Sequence, residues 1–212
     1  MKCFLLGALA AAMSLPAATI TFHCLEPVNY ANCGDVASGL SADVNDLGRG
    51  QVEFVFRNDA LESSTITQIN WDDSADLLAS FDSLTNGTGV LMVIQNPVGP
   101  VNGGGSVFQL VMYQAEKDGA VANGIDPGEW MKANFTLSAG VTFDDLLAAY
   151  GDGGLNRIGM HVQRIGPGQE DSDFMISDLL ETPPPPAPNI PEPSTFVLMG
   201  VGLLLCGIAK FR

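Results

Sequence analysis

Positive charge is what this chain has least of. Its 212 residues hold nine Lys and Arg against 24 Asp and Glu, a formal net charge of -15. Lys2, Lys210 and Arg212 sit in the apolar ends, where Glu192 is the one acid, so the stretch between keeps 23 acids against six bases, a net charge of -17. Phosphate binding needs clustered Lys and Arg, and a nucleic-acid partner is therefore excluded. Imidazole is scarcer still, at two residues, His23 and His161. The chain also lacks a Gly-x-Ser-x-Gly elbow and a Cys-His pair, so the usual routes to an activated nucleophile are absent. Long apolar runs are missing too. The run over residues 196–209 is 14 residues long, short of the roughly 20 that a relaxed membrane helix needs.

What is present at the two ends is a pair of addresses. Residues 1–18 carry an early cation at Lys2, an apolar stretch over 4–13, and the small residues Ala17 and Ala18. Charge, short apolar middle and small-residue cleavage zone together make a secretory signal peptide, with cleavage expected between about Ala17 and Thr19 and signal peptidase as the partner. At the other end a proline tract over 183–190 cannot form a helix or a central strand, and is expected to be an extended spacer. Pro191, Glu192 and Pro193 follow, then the apolar run 196–209 and the terminal Lys210, Phe211 and Arg212. Local thinning lets a short run insert in a bilayer, and the terminal cations favour a cytoplasmic end.

This order of parts resembles the PEP-CTERM sorting signal over residues 191–212. The resemblance implies that the tail holds the protein transiently in the inner membrane until an exosortase, a membrane-embedded cysteine protease-transferase, cuts near Pro191, Glu192 and Pro193. The mature domain then passes to the cell surface or the extracellular matrix. Two basic residues follow the helix here in place of an Arg cluster, and an ordinary membrane anchor is the plainer alternative. The same tail also goes by the ice-binding protein C-terminal name, which describes the tail; Thr65-x-Thr67 and Thr19-x-Thr21 do not make the flat threonine array that an ice face needs.

Four cysteines reduce to two in an exported chain, because Cys3 lies in the signal peptide and Cys206 in the membrane run. Cys24 and Cys33 are expected to form a disulfide closing residues 25–32. Zinc is disfavoured, since neither has a CxxC partner and His23 is the one nearby imidazole.

Between residues 19 and 182 the signal is alternation of period two. Val52, Phe54 and Phe56 alternate with Glu53 and Arg57, Phe108, Leu110 and Met112 with Gln109, the series Met131 to Leu137 with Trp130, Lys132, Asn134 and Thr136, and Ile158, Met160 and Val162 with His161 and Gln163. Each predicts a strand with one face to a core and one to water. Further strands are expected over 20–24, 65–71, 90–94 and 174–176, with Gly, Asn and Asp clusters as turns. One short helix is expected over 143–149, capped by Thr142 and ended by Gly151. Eight to ten strands with little helix predict an all-β fold, an antiparallel β-sandwich of jelly-roll type, flanked by the signal helix and the C-terminal transmembrane helix. The middle is also similar to the globular part of many PEP-CTERM proteins at residues 52–58, 63–73, 126–129 and 157–163 with Ser172 and Asp173. That similarity carries no chemistry with it.

Chemistry has few candidates. Asp72-Asp73, Asp144-Asp145 and Glu170-Asp171 are paired carboxylates, and glycosidase work needs two carboxyls facing each other across a sugar; on a chain this acidic they are expected to be solvated loops. Calcium is the cation that loop carboxylates suit, but Asp43-Val44-Asn45-Asp46 and Asp171-Ser172-Asp173 lack EF-hand spacing, so no metal ligand is assigned and no cofactor is expected. Trp71, Trp130, Tyr113 and Tyr150 are candidates for a sugar-stacking platform, with Trp130 on the water-facing side of its strand as the candidate glycan contact. Three functions compete: a non-enzymatic surface or matrix protein with a structural or adhesive role in exopolysaccharide and biofilm, a carbohydrate-binding module, and a hydrolase of glycans or esters. The first is expected.

Overall fold

The computed structural model describes residues 18–96, 98–99, 101, 108, 111–151 and 154–178. The expected signal helix, proline spacer, Pro191-Glu192-Pro193 and membrane helix lie outside the described residues. Contacts divide the chain into Met1–Thr182 and Pro183–Arg212, and every described residue belongs to the first of these. No helix among the described residues is long and apolar enough to cross a membrane.

Ten strands are described: β1 (Ala18–Cys24), β2 (Leu40–Gly48), β3 (Gln51–Asn58), β4 (Thr65–Asp72), β5 (Leu78–Asn86), β6 (Met92–Ile94), β7 (Val111–Lys117), β8 (Glu129–Leu137), β9 (Ile158–Ile165) and β10 (Asp171–Ser177). Two helices accompany them, α1 (Cys33–Ala37) and α2 (Phe143–Tyr150). All strand pairs are antiparallel, in the order β5-β8-β3-β2-β1-β10-β9-β4-β7-β6. The strands therefore form one sheet, where the alternation had predicted two facing sheets of a sandwich. Its continuity rests on β1, which gives residues 18–21 to β2 and residues 22–24 to β10. The two ends of the sheet come together at Asn86, whose Nδ2 donates to Met92 O at 3.0 Å while its Oδ1 accepts from Met92 N at 3.3 Å. An amide side chain thus stands in for a ladder rung and leaves the sheet nearly closed.

The inward faces follow the alternation. Ala42 and Val44 of β2, Val52, Phe54 and Phe56 of β3, Met131, Ala133 and Phe135 of β8, and Ile158, Met160 and Val162 of β9 are all buried. At the centre Phe54 meets Trp71, Phe135 and Tyr150 edge to face at 5.8–6.4 Å between ring centroids. Edge-to-face contact sets a ring's positive rim against its neighbour's negative face. Helix α2 begins as expected. Asp145 N donates to Thr142 Oγ1 at 3.2 Å, and Thr142 N donates back to Asp145 Oδ2 at 2.9 Å. This capping box satisfies two of the orphan donors of the first turn.

Four elements depart from expectation. β7 is out of phase with the predicted inward set of Phe108, Leu110 and Met112: Met112 is exposed, while Ala115 is buried and Tyr113 packs on the core. A one-residue shift moves every side chain to the opposite face. β4 is buried on both faces. Gly99 N donates to Gln114 Oε1 and Gln114 Nε2 donates to Asn70 Oδ1, while Phe108 meets Phe174 over Gly159, where a Cβ would lie 2.4 Å from one ring and 2.5 Å from the other. The polar side of β4 is therefore covered by protein, and its amides pair with one another as burial requires. Finally, β2 and β5 occupy stretches that carried no strand prediction.

Candidate functional site

Of the three carboxylate pairs, Asp144-Asp145 and Glu170-Asp171 are exposed, as expected, and Asp72-Asp73 is built into the fold. Asp72 and Asp73 are buried where β4 ends, and Asp73 accepts from Leu77 N at 2.9 Å and Leu78 N at 3.0 Å, shaping the turn into β5. Burial pushes its carboxyl above the ordinary carboxylate range. Asp144 and Asp145 stand at the start of α2. Asp43 and Asp46, weighed as a calcium loop, lie in strand β2, and Asp173 accepts from Asn29 N at 2.6 Å and Tyr30 N at 2.8 Å. Among the described residues no three His, Cys, Asp or Glu side chains gather as a metal site would.

The cysteine prediction is met: Cys24 and Cys33 are disulfide-bonded, with Cα atoms 6.2 Å apart. His23 sits beside them, its Nδ1 2.6 Å from Asp178 Oδ1, and Thr21 Oγ1 donates to the other oxygen of Asp178 at 2.7 Å. His161 is less accessible than its place on the water-facing side of β9 had implied. It is half-buried, with Nδ1 3.3 Å from Thr67 Oγ1. Burial lowers its pKa, Lys117 lowers it further, and Asp173 opposes both.

That shift predicts a pH effect. With the folded pKa below that of the unfolded chain, the unfolded state binds the proton first as pH falls. The stability contributed by neutral His161 is thus present above about pH 6.5 and lost below it. Urea titrations from about pH 7.5 to 5 should show stability falling more steeply in the natural chain than in His161→Gln. Equal slopes would rule the effect out.

The four aromatics considered for a platform do not meet. Trp71 and Tyr150 are in the core, and Tyr113 packs on Phe135 with its hydroxyl donating to Leu78 O at 3.1 Å. Trp130 alone of the four is on the outer face of β8, half-buried and paired across the ladder with Arg57 of β3. Its indole lies against Gly87, where a Cβ would come within 3.2 Å of Cε2 and Nε1, and Lys132 Nζ stands 5.8 Å from the ring centroid. Around it the outer face carries a set of hydrogen-bonded acids, two of them in ion pairs, that the sequence left unread. Asp43 accepts from Thr19 Oγ1 at 2.8 Å and Arg57 Nε at 3.5 Å. Glu53 accepts from Asn45 Nδ2 and Lys132 Nζ, each at 3.2 Å. Asp82 accepts from Thr136 Oγ1 at 2.7 Å and Ser80 Oγ at 3.0 Å. The one signal for this set is cross-strand register, which needs β2 and β5 to be known first.

Neither a curated protein nor a solved structure matches the chain. Residues 189–212 match the family model described as the PEP-CTERM protein-sorting motif. The chain carries a PEP-CTERM sorting motif at this end. The motif implies that the protein is exported, held transiently in the membrane by its tail, and handed to an exosortase as its processing partner. Pro191, Glu192 and Pro193 fall inside the matched residues, and the PEP-CTERM tail begins after the described β domain ends.

Proposed function

We propose that this PEP-CTERM protein is a non-catalytic component of the cell surface or extracellular matrix, with a structural or adhesive role in exopolysaccharide and biofilm. The sorting motif carries this reading, because an address of that kind delivers its cargo outside the inner membrane. The buried acids support it: Asp73 and Asp173 are spent on holding backbone N–H groups, which leaves them poorly placed as acid-base reagents. Signal peptidase, the exosortase and exopolysaccharide are the partners it implies, and no cofactor takes part.

The test is made in the host. Replacing Pro191, Glu192 and Pro193 together by alanine should leave a full-length chain in the inner-membrane fraction, whereas the natural chain should be recovered shortened and outside it. Deleting residues 191–212 should remove the membrane stage altogether. Unchanged size and fractionation in both variants would overturn the sorting step, and a shortened natural chain absent from the washed exopolysaccharide would overturn the matrix role.

A second reading, glycan binding through Trp130, is favoured by one observation: this indole stays at the outer face, among oriented polar groups, while Trp71 is wholly buried.

A further inference from the structure

We infer that the outer face of β2, β3, β8 and β5 binds an uncharged polysaccharide strand, with Trp130 as its stacking residue; this rests on the glycan reading above and adds the chemical class of the ligand. Charge is the first argument. The domain between the two addresses carries a net charge of -17 with six cations in all, and two of those six, Arg57 and Lys132, stand beside Trp130. On the same face the acids are Asp43, Glu53 and Asp82, each already accepting two hydrogen bonds from side chains. Three acids against two bases make this face nearly neutral on a strongly acidic molecule. A uronate-bearing or phosphorylated polymer approaching it meets the repulsion of the whole domain with no cationic patch to offset it. A neutral polymer pays no such cost.

The chemistry of the face fits the same ligand. The negative face of an indole attracts the slightly positive C–H groups of a pyranose ring, and its flat area buries them. Hydroxyl groups need donors and acceptors held at fixed angles, and the paired side chains provide them. Asp43 and Glu53 are oriented acceptors; Arg57, Lys132 and Asn45 are donors beside them. A few placed polar groups around an aromatic surface are what a saccharide subsite requires. Lys132 Nζ stands 5.8 Å from the ring centroid while paired with Glu53, so it offers a donor at the edge of the stacking surface with that ion pair kept.

The experiment uses the full chain in mild detergent, run by affinity electrophoresis in gels containing dextran, galactomannan or mixed-linkage β-glucan as neutral polymers, and alginate or polygalacturonate as anionic ones. At least one neutral polymer should retard the natural chain, equally from about 0.05 to 0.5 M NaCl, since no ion pairs form or break. Trp130→Ala should weaken that retardation by about tenfold or more, and Trp130→Tyr should restore part of it, which also shows that the fold tolerates change at this position. Retardation by alginate or polygalacturonate alone, lost in Trp130→Ala, would overturn the uncharged class while leaving the glycan reading standing. Retardation untouched by Trp130→Ala would remove this face, and no retardation by any of the five polymers would remove the glycan reading itself.

Discussion

Trp71→Ala should lower the unfolding free energy by about 3–5 kcal/mol, the range for emptying an aromatic site that cannot collapse. Trp71 is fully buried and meets Phe56 at 5.2 Å, Phe135 at 5.4 Å and Phe54 at 6.4 Å between ring centroids. The phenylalanines come from the neighbouring strands β3 and β8, and Trp71 from β4 in the other half of the strand order. Losing the indole therefore loosens both stretches of the sheet at once, and takes a large share of the roughly 5–15 kcal/mol that holds a domain together. Trp71→Phe should behave quite differently. The indole Nε1 is buried and finds no hydrogen-bond partner among the described residues, so replacing it removes an unsatisfied donor along with some volume. The two effects oppose, and the net cost should stay below about 1.5 kcal/mol. Urea unfolding measures both variants. A Phe variant as unstable as the Ala variant would show that Nε1 has a partner and that the indole's own shape is required.

The elements legible in the sequence are those whose alternation has few exceptions, such as Val55 in β3. β3 and β8 set Val52, Phe54 and Phe56 against Phe135, Ala133 and Met131 in direct register, and both patterns were visible because every second residue is apolar. β2 was hidden by chemistry. Its inward residues include Ala42, and its outward residues are Ser41, Asp43 and Asn45, which favour turns when their neighbours are unknown. β5 was hidden by position: as one end of the sheet it is largely exposed, and two register shifts against β8 break its alternation. β4 shows the converse, since Thr67, Gln68, Asn70 and Asp72 are polar and yet covered. Periodicity reports which residues share a face and not what lies over it.

The same division runs through the candidate sites. Pro191, Glu192 and Pro193 were legible as a local motif. Cys24 and Cys33 were legible by subtraction, once the two cysteines in the addresses were set aside. Trp130 was legible as outward by its alternation with Met131. The pairs Asp43–Arg57 and Glu53–Lys132 were not, because each depends on registers between strands that no local pattern encodes.

Removing the disulfide by Cys24→Ser with Cys33→Ser should cost about 2–3 kcal/mol, the loop-closure entropy of a bridge spanning nine residues. The loop it closes is also held from β10. Leu25 N donates to Phe174 O at 2.8 Å, and the buried carboxylate of Asp173 accepts from Asn29 N and Tyr30 N. Asp173→Ala should therefore cost about 2–4 kcal/mol, since two backbone donors lose a charged acceptor. The two changes act on one loop, and their effects should not add. Once the bridge is gone the loop is free to leave β10, so Asp173 has less left to hold, and the triple variant should be more stable than the sum of losses predicts by at least about 0.5 kcal/mol. Urea unfolding of the natural chain, the double-serine variant, Asp173→Ala and the triple variant completes the cycle. Additivity within about 0.3 kcal/mol would show that bridge and carboxylate act separately. A shortfall would show that export does structural work here, because an oxidising compartment forms the bridge that lets Asp173 seat the loop on β10.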